Sequence, residues 1–273
     1  MSFSSGYFGI AIAAIFRNEA PFLKEWIDFH LLMGVERFYL FDNLSNDHPK
    51  SVLEPYLAKG IVELISWPIE HSEIFEWNEL QCLAYERAIF LAKGHVKWLA
   101  IIDVDEFLFS EDGHILDQLE RFEKYGGVGV NWQVFGTANV GKIPKDKLLI
   151  ETLNLKMPVE QGINHHVKSI VRPERVLGCD NPHSMIYRDE FYQVNMAEVR
   201  FEGRLSPTVE LSPLRINHYT LRDEHFLLNQ KIPRLQKWWG GSVDHWKMKY
   251  AGMNKVEDVN IHRFVKYLRE PAD

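Results

Sequence analysis

The chain has 273 residues, with 46% hydrophobic and 25% charged side chains and a net charge of −7. That balance fits one large soluble domain and argues against a nucleic-acid binder with a broad basic surface. Two cysteines, Cys82 and Cys179, give neither a disulfide framework nor zinc-ligand spacing.

The first apolar run, residues 9–16, reads as a core strand. It has no basic flank before it and is too short to cross a bilayer. Residues 19–34 then repeat apolar positions at helical spacing, with Gly34 as the stop. A strand over 37–41 runs into the polar loop 42–47. A helix over 50–59 closes at Gly60, a strand follows over 61–67, and a long helix over 73–93 closes at Gly94. The fourth strand covers 96–104. This alternation predicts an α/β fold, a Rossmann-like and mainly parallel sheet flanked by helices. Parallel strands bring the loops at 17–19, 42–47 and 103–106 to one sheet edge, where ligands bind in such folds.

The second half is less regular. A helix is expected over 113–125, strands over 128–135, 168–172 and 215–219, and a helix over 223–239. Residues 136–164 read as a loop around a groove, 178–213 as loops with short strands, and 253–269 as a terminal amphipathic helix. No repeat or linker interrupts the chain, so the expected organisation is a domain over 1–235 with a helical extension over 236–273 packed on it.

The chemistry concentrates where the apolar run 98–102 discharges into Asp103, Asp105 and Glu106. Carboxylates at this spacing are hard oxygen ligands, suited to Mg²⁺ or Mn²⁺ when phosphate oxygens complete the shell. The residues alone predict a divalent-metal site for a nucleotide diphosphate.

Six blocks, in order, then carry a resemblance. They are Asn18-Glu19-Ala20-Pro21-Phe22-Leu23-Lys24-Glu25-Trp26; Phe38-Tyr39-Leu40-Phe41-Asp42-Asn43-Leu44-Ser45; Ile102-Asp103-Val104-Asp105-Glu106-Phe107; Val130-Asn131-Trp132-Gln133-Val134-Phe135-Gly136; His166-Val167-Lys168-Ser169-Ile170-Val171-Arg172-Pro173; and Ile216-Asn217-His218-Tyr219. Together they resemble glycosyltransferase family 92 and its bacterial family-2-like relatives. The resemblance implies a GT-A fold with an irregular acceptor-side half. It also implies metal-dependent transfer of a hexose, galactose among the expected sugars, from a UDP-sugar to a glycan or lipid-linked acceptor with inversion, in polysaccharide, lipopolysaccharide or glycan synthesis. A nucleotidyltransferase or a non-catalytic nucleotide-sugar- or glycan-binding module is the alternative.

Carried onto this sequence, the resemblance assigns the metal to Asp103, Asp105 and His218. Asp105 is the direct ligand, and Asp103 lies on the ribose or a metal-bound water. An imidazole among oxygen ligands favours Mn²⁺ over Mg²⁺. Arg17, Asn18, Glu19 and Asp42 are placed to read uracil and ribose, and Gln81 is a further nucleotide candidate. Lys168, Arg172, Lys231 and Arg234 are candidate cations for the departing diphosphate. Trp132 and Phe135 are expected to offer an aromatic surface to the acceptor. An inverting transfer needs a base, for which Asp180 is chosen over Glu160, Glu174 and Asp189. Residues 237–250 interleave aromatics with lysines, as a membrane-facing surface would, or as a packed helical cap. The expected location is cytoplasmic or peripheral to the inner face of a membrane, with no transmembrane segment and no nucleic-acid partner.

Overall fold

Apolar runs buried on both faces and amphipathic helices between them fold into a three-layer α/β arrangement, seen in a computed structural model that describes residues 7–269. The elements run β1 (Phe8–Phe16), α1 (Ala20–Leu32), β2 (Arg37–Asp42), α2 (Pro49–Ala58), β3 (Val62–Ser66), α3 (Ile74–Ala92), β4 (Val96–Ile101), β5 (Glu106–Ser110) and α4 (Ile115–Leu119). They continue with β6 (Gly127–Val134), α5 (Leu149–Thr152), β7 (Leu155–Lys156), β8 (Val167–Val171), β9 (Val176–Asn181), β10 (Ser184–Tyr187) and β11 (Gln193–Val194). The last are β12 (Leu214–His218), α6 (Glu224–Phe226), α7 (Ile232–Trp239), α8 (Val243–Tyr250), β13 (Val256–Glu257) and α9 (Val265–Arg269).

The main sheet has the order β3-β2-β1-β4-β8-β6-β12-β5, with β11 added beside the start of β6. Strands β3, β2, β1 and β4 are parallel, as the alternating pattern predicts. Only β8 and β5 run against the rest of this path. β1 shows why its sequence is apolar throughout: Ile10, Ile12, Ala14 and Phe16 join one core, Ala11, Ala13 and Ile15 the other. The first core lies under α1 and α2, the second under α3. The expected stop at Gly34 has φ +86°, and a Cβ there would sit 2.9 Å from the His114 ring, so only glycine fits.

Three sequence expectations change. The strand expected over 96–104 ends at Ile101, and a new strand, β5, starts at Glu106. The helix expected over 223–239 is broken by a π turn at Leu227–Lys231, a wide turn that often marks a functional position. The terminal helix expected over 253–269 shrinks to α9, preceded by 3-10 turns and β13.

Residues 236–269 nevertheless pack on the same body. Trp246, Met253 and Ile261 enter the first core, and β13 pairs with β7. Buried Asp258 accepts from Arg215 at 3.0 Å and lies 2.8 Å from the Lys156 ammonium. The outer ends of the expected segments, 1–6 and 270–273, lie outside the described residues.

α1 fixes β5 from below. Trp26 Nε1 donates to the Glu106 carbonyl at 2.8 Å, and the Leu108 N–H donates to His30 Nε2 at 3.1 Å. His30 Nδ1 faces the Trp26 carbonyl, which can only accept, so the ring is neutral with its proton on Nδ1. Burial agrees, pushing the His30 pKa down to about 3.

Candidate functional site

Everything at the site follows from how β4 ends. After Ile101 the chain turns through Asp103-Val104-Asp105, closed by the Glu106 N–H donating to the Asp103 carbonyl at 3.1 Å. β5 then pairs antiparallel with β12, Phe107 opposite Asn217 and Glu106 opposite His218. One residue further, the Tyr219 N–H donates to the Asp105 carbonyl at 2.8 Å. This register carries His218 to the acidic turn: its Nε2 lies 3.6 Å from Asp105 Oδ1.

The three carboxylates have different surroundings. Asp103 accepts from Lys168 Nζ at 3.0 Å and from the Tyr85 hydroxyl at 3.1 Å. Glu106 is fully buried; one oxygen accepts from the Asp103 N–H at 2.8 Å and lies 3.8 Å from Lys168, while the other has no partner among the described residues. Burial, reinforced by the charges of Asp103 and Asp105, drives the Glu106 pKa well above the carboxylate range despite Lys168. Burial opposes the charge on Lys168 too, but Asp103 and Glu106 outweigh it and raise its pKa. Asp105 goes the other way. Burial works against its charge, yet His218, Arg222 and Lys231 hold it ionised below the ordinary range.

Cations gather on the side of Asp105. Arg222, in the left-handed region at φ +52° and 1% exposed, pairs with Glu19 at 2.5 Å and lies 3.7 Å from the centre of the Phe22 ring. A buried non-glycine residue held in that conformation is a strain found at functional sites. Its Nη1 has no hydrogen-bond partner among the described residues. Burial outweighs Arg222 and raises the Glu19 pKa to about 7. The π turn delivers Lys231, whose Nζ donates to Thr220 Oγ1 at 2.6 Å. Burial and the neighbouring Arg234 lower the Lys231 pKa to about 8.

The expected nucleoside loops are tied together on the same edge. The Asn18 N–H donates to Ser45 Oγ, and Asn18 Oδ1 accepts from the Asn46 N–H. Asp42 Oδ1 accepts from the Ser45 N–H, and Asp47 caps α1 by accepting from the Ala20 N–H. Arg17 and Asn18 are exposed. Gln81 reaches the site through Tyr85, its Nε2 lying 3.4 Å from that hydroxyl.

The residues present fit a divalent cation. Asp105 Oδ1 and His218 Nε2, 3.6 Å apart, are the carboxylate and imidazole donors that would hold one such ion. Asp103 is not gathered with them, and among the described residues no cluster of three His, Cys, Asp or Glu side chains could hold a metal. Carboxylate and imidazole donors of this kind suit Mn²⁺ or Mg²⁺.

Several expectations need correction. Lys168, expected to face a diphosphate, is 1% exposed and bound into the Asp103–Glu106 pair. Arg172 lies at the other end of β8, about 13 Å away at the usual rise per residue, over the Trp98 ring. Phe135 is fully buried against Tyr219 and offers no surface to an acceptor. Trp132 belongs to the site, but as a floor: its ring lies 4.3 Å from His218 and stacks on His166 at 5.1 Å. Asp180 is exposed on the β9–β10 hairpin, accepting from Asn181 and Ser184. Sequence reasoning missed Tyr85, Arg222, His166 and His183. Tyr85 had a signal, one helical turn after Gln81 on the same face of α3.

A family model described as glycosyltransferase family 92 matches residues 7–261. A glycosyltransferase family 92 protein of Ricinus communis is 29% identical over 195 residues, covering 68% of this chain and 33% of its own length. Another, of Oryza sativa subsp. japonica, is 29% identical over 216 residues, covering 77% and 33%. The chain thus spans about a third of the length of these curated relatives. Among solved structures, glucosyl-3-phosphoglycerate synthase from Mycobacterium tuberculosis, in complex with Mn²⁺, UDP and glucosyl-3-phosphoglycerate, is 15% identical, with a TM-score of 0.39 over 72% of each chain.

The burial of Lys168 makes a direct prediction. Lys168→Met strands Asp103 and Glu106 without their cation and should destabilise the fold by about 3–5 kcal/mol. Urea unfolding checks this; a loss below about 1 kcal/mol, the scale of an exposed pair, would show that Lys168 is not holding the acidic turn.

Proposed function

The chain belongs to glycosyltransferase family 92, and on that footing we propose that it transfers a hexosyl group from a UDP-sugar to a hydroxyl of a glycan or lipid-linked acceptor. Galactose is the sugar that the family resemblance implies. The observation that carries the reading is the pair Asp105–His218, 3.6 Å apart at the carboxyl edge of a GT-A-type α/β sheet.

Asp105 and His218 would hold a divalent cation, Mn²⁺ or Mg²⁺. When bound, that cation supplies Lewis-acid neutralisation of the diphosphate as the glycosidic bond to it breaks. Lys231, Arg222 and Arg234 stand on the same side as Asp105, where they stabilise the negative charge that develops on the leaving group. Asp103, fixed by Lys168 and Tyr85, is oriented for a ribose hydroxyl or an ordered water. The linked loops of Asn18 and Asp42 receive the nucleoside, and Glu19 positions Arg222.

Peripheral membrane contact is part of the same reading. Trp239, Val243 and Met248 stand exposed among Lys237, Lys247 and Lys249 on α7 and α8, a composition suited to an anionic lipid surface. No helix among the described residues is long and apolar enough to cross a membrane.

Turnover of UDP-galactose and other UDP-hexoses with Mn²⁺ tests the proposal. Asp105→Asn and His218→Ala should each lower turnover at least about 100-fold, the scale of a lost metal contribution. Full activity in both variants in the presence of chelator contradicts the proposal. Selective UDP binding with no turnover of any UDP-hexose would leave a binding module instead.

Lys231 adds a pH signature. Its ammonium is charged below about pH 8 and neutral above, so kcat/KM should fall as pH rises through 8. Lys231→Arg, charged throughout, should extend the plateau upward. An unchanged alkaline limb would remove Lys231 from the leaving-group site.

A further inference from the structure

An inverting transfer needs a proton acceptor, and none of the candidate carboxylates contacts the Asp105–His218 pair among the described residues. Asp180 is exposed on the β9–β10 hairpin, where its Oδ2 accepts from Asn181 and Ser184. Glu174 accepts from the Gly94 N–H beside the start of β4, away from the acidic turn. Glu160 and Asp189 are exposed on turns.

A pair of imidazoles stands there instead. His183, in the turn between β9 and β10, packs edge-on against Trp132 at 5.1 Å, and His166 stacks on the same indole. Trp132 in turn contacts His218, so one ring joins both imidazoles to the candidate metal ligand. His183 Nδ1 lies 2.9 Å from the Val167 carbonyl, and His166 Nδ1 lies 3.0 Å from the Ile163 carbonyl. A carbonyl only accepts, so both rings carry their proton on Nδ1 and present a lone pair at Nε2. Neither Nε2 makes a hydrogen bond among the described residues, and both residues are half-buried. Burial keeps both rings neutral; Lys168 next opposes a proton on His183, and Arg204 one on His166.

His183 is the better placed of the two. It meets the Trp132 ring edge-on, and that ring lies 4.3 Å from His218. Its backbone is fixed as well: the carbonyl accepts from Ser169 Oγ at 2.9 Å, and the N–H donates to Asn181 Oδ1 at 2.9 Å.

We propose that His183 is the catalytic proton acceptor, its Nε2 receiving the hydrogen of the incoming hydroxyl while the Trp132 floor and the stacked His166 hold its ring in place. The inference rests on the glycosyltransferase reading given above. The acceptor O–H bond breaks toward Nε2, and the oxygen bonds to the anomeric carbon. The bond from that carbon to the diphosphate oxygen breaks, and its electron pair leaves with UDP. The imidazolium then returns its proton to solvent. Water takes the acceptor's place in donor hydrolysis, which makes the step measurable without the natural acceptor.

His183→Asn isolates the lone pair, because its amide N–H₂ can still donate to the Val167 carbonyl while Nε2 is gone. UDP affinity by calorimetry with Mn²⁺ should stay within about threefold, while UDP-galactose hydrolysis should fall at least about 100-fold, the lower range for a lost general base. In His183→Ala, added imidazole should recover part of the hydrolysis. Hydrolysis within about threefold of wild type in His183→Asn, well short of a general-base contribution, overturns the assignment, as does an alanine variant that imidazole leaves inactive. Hydrolysis lost in Asp180→Asn at unchanged UDP affinity gives the role to that carboxylate. A wild-type protein that neither binds UDP nor hydrolyses a UDP-hexose overturns the underlying reading instead, so the two failures are told apart.

Discussion

The hydrogen bond from the Tyr219 N–H to the Asp105 carbonyl, at the end of the β5–β12 ladder, is the constraint on which the site depends. It joins two stretches far apart in sequence at the one register that sets His218 beside Asp105. A shift of one residue would turn His218 to the opposite face of the sheet. The ladder is held from two sides. Trp26 and His30 grip β5 from α1, and β12 pairs with β6 along Ile216–His218. The sheet thus fixes the Asp105–His218 pair that is proposed to hold a cation.

Crowding carboxylates into one tight turn is unfavourable unless their charges are dealt with separately. The fold does so by giving each a different environment. Asp103 pairs with Lys168 and stays partly open to solvent. Glu106 is buried, and that burial raises its pKa against the pull of Lys168. Asp105 remains the ionised group, facing His218 and the cations of the Arg222–Lys231 side. Lys168, on the neighbouring strand β8, therefore neutralises Asp103 and leaves Asp105 to His218.

Much of this was legible in the sequence because it rests on local patterns. The alternating strands and helices of the first hundred residues, their glycine stops and the acidic strand end all follow from periodicity and turn chemistry. The link to His218 came from the family resemblance, and the structure brings His218 and Asp105 together. What escaped depends on long-range geometry. No local signal told that Lys168 would turn inward, that Phe135 would be sealed behind Tyr219, or that Arg172 would lie at the far end of its strand. The π turn that aims Lys231 and the left-handed Arg222 break the local rules, as functional positions often do. His183 lay hidden in a turn-rich stretch whose neighbours are fixed only by packing against Trp132.

The central claim is that Asp105 and His218 share one divalent cation whose remaining ligands come from a nucleotide diphosphate. Electron paramagnetic resonance of Mn²⁺ titrated with the protein, with and without UDP, reads this directly. The account predicts that UDP tightens Mn²⁺ binding at least about tenfold, a coupling of ordinary size between ligands of one site, and that His218→Ala abolishes the gain. Mn²⁺ binding indifferent to UDP, or a gain fully retained without His218, would contradict it.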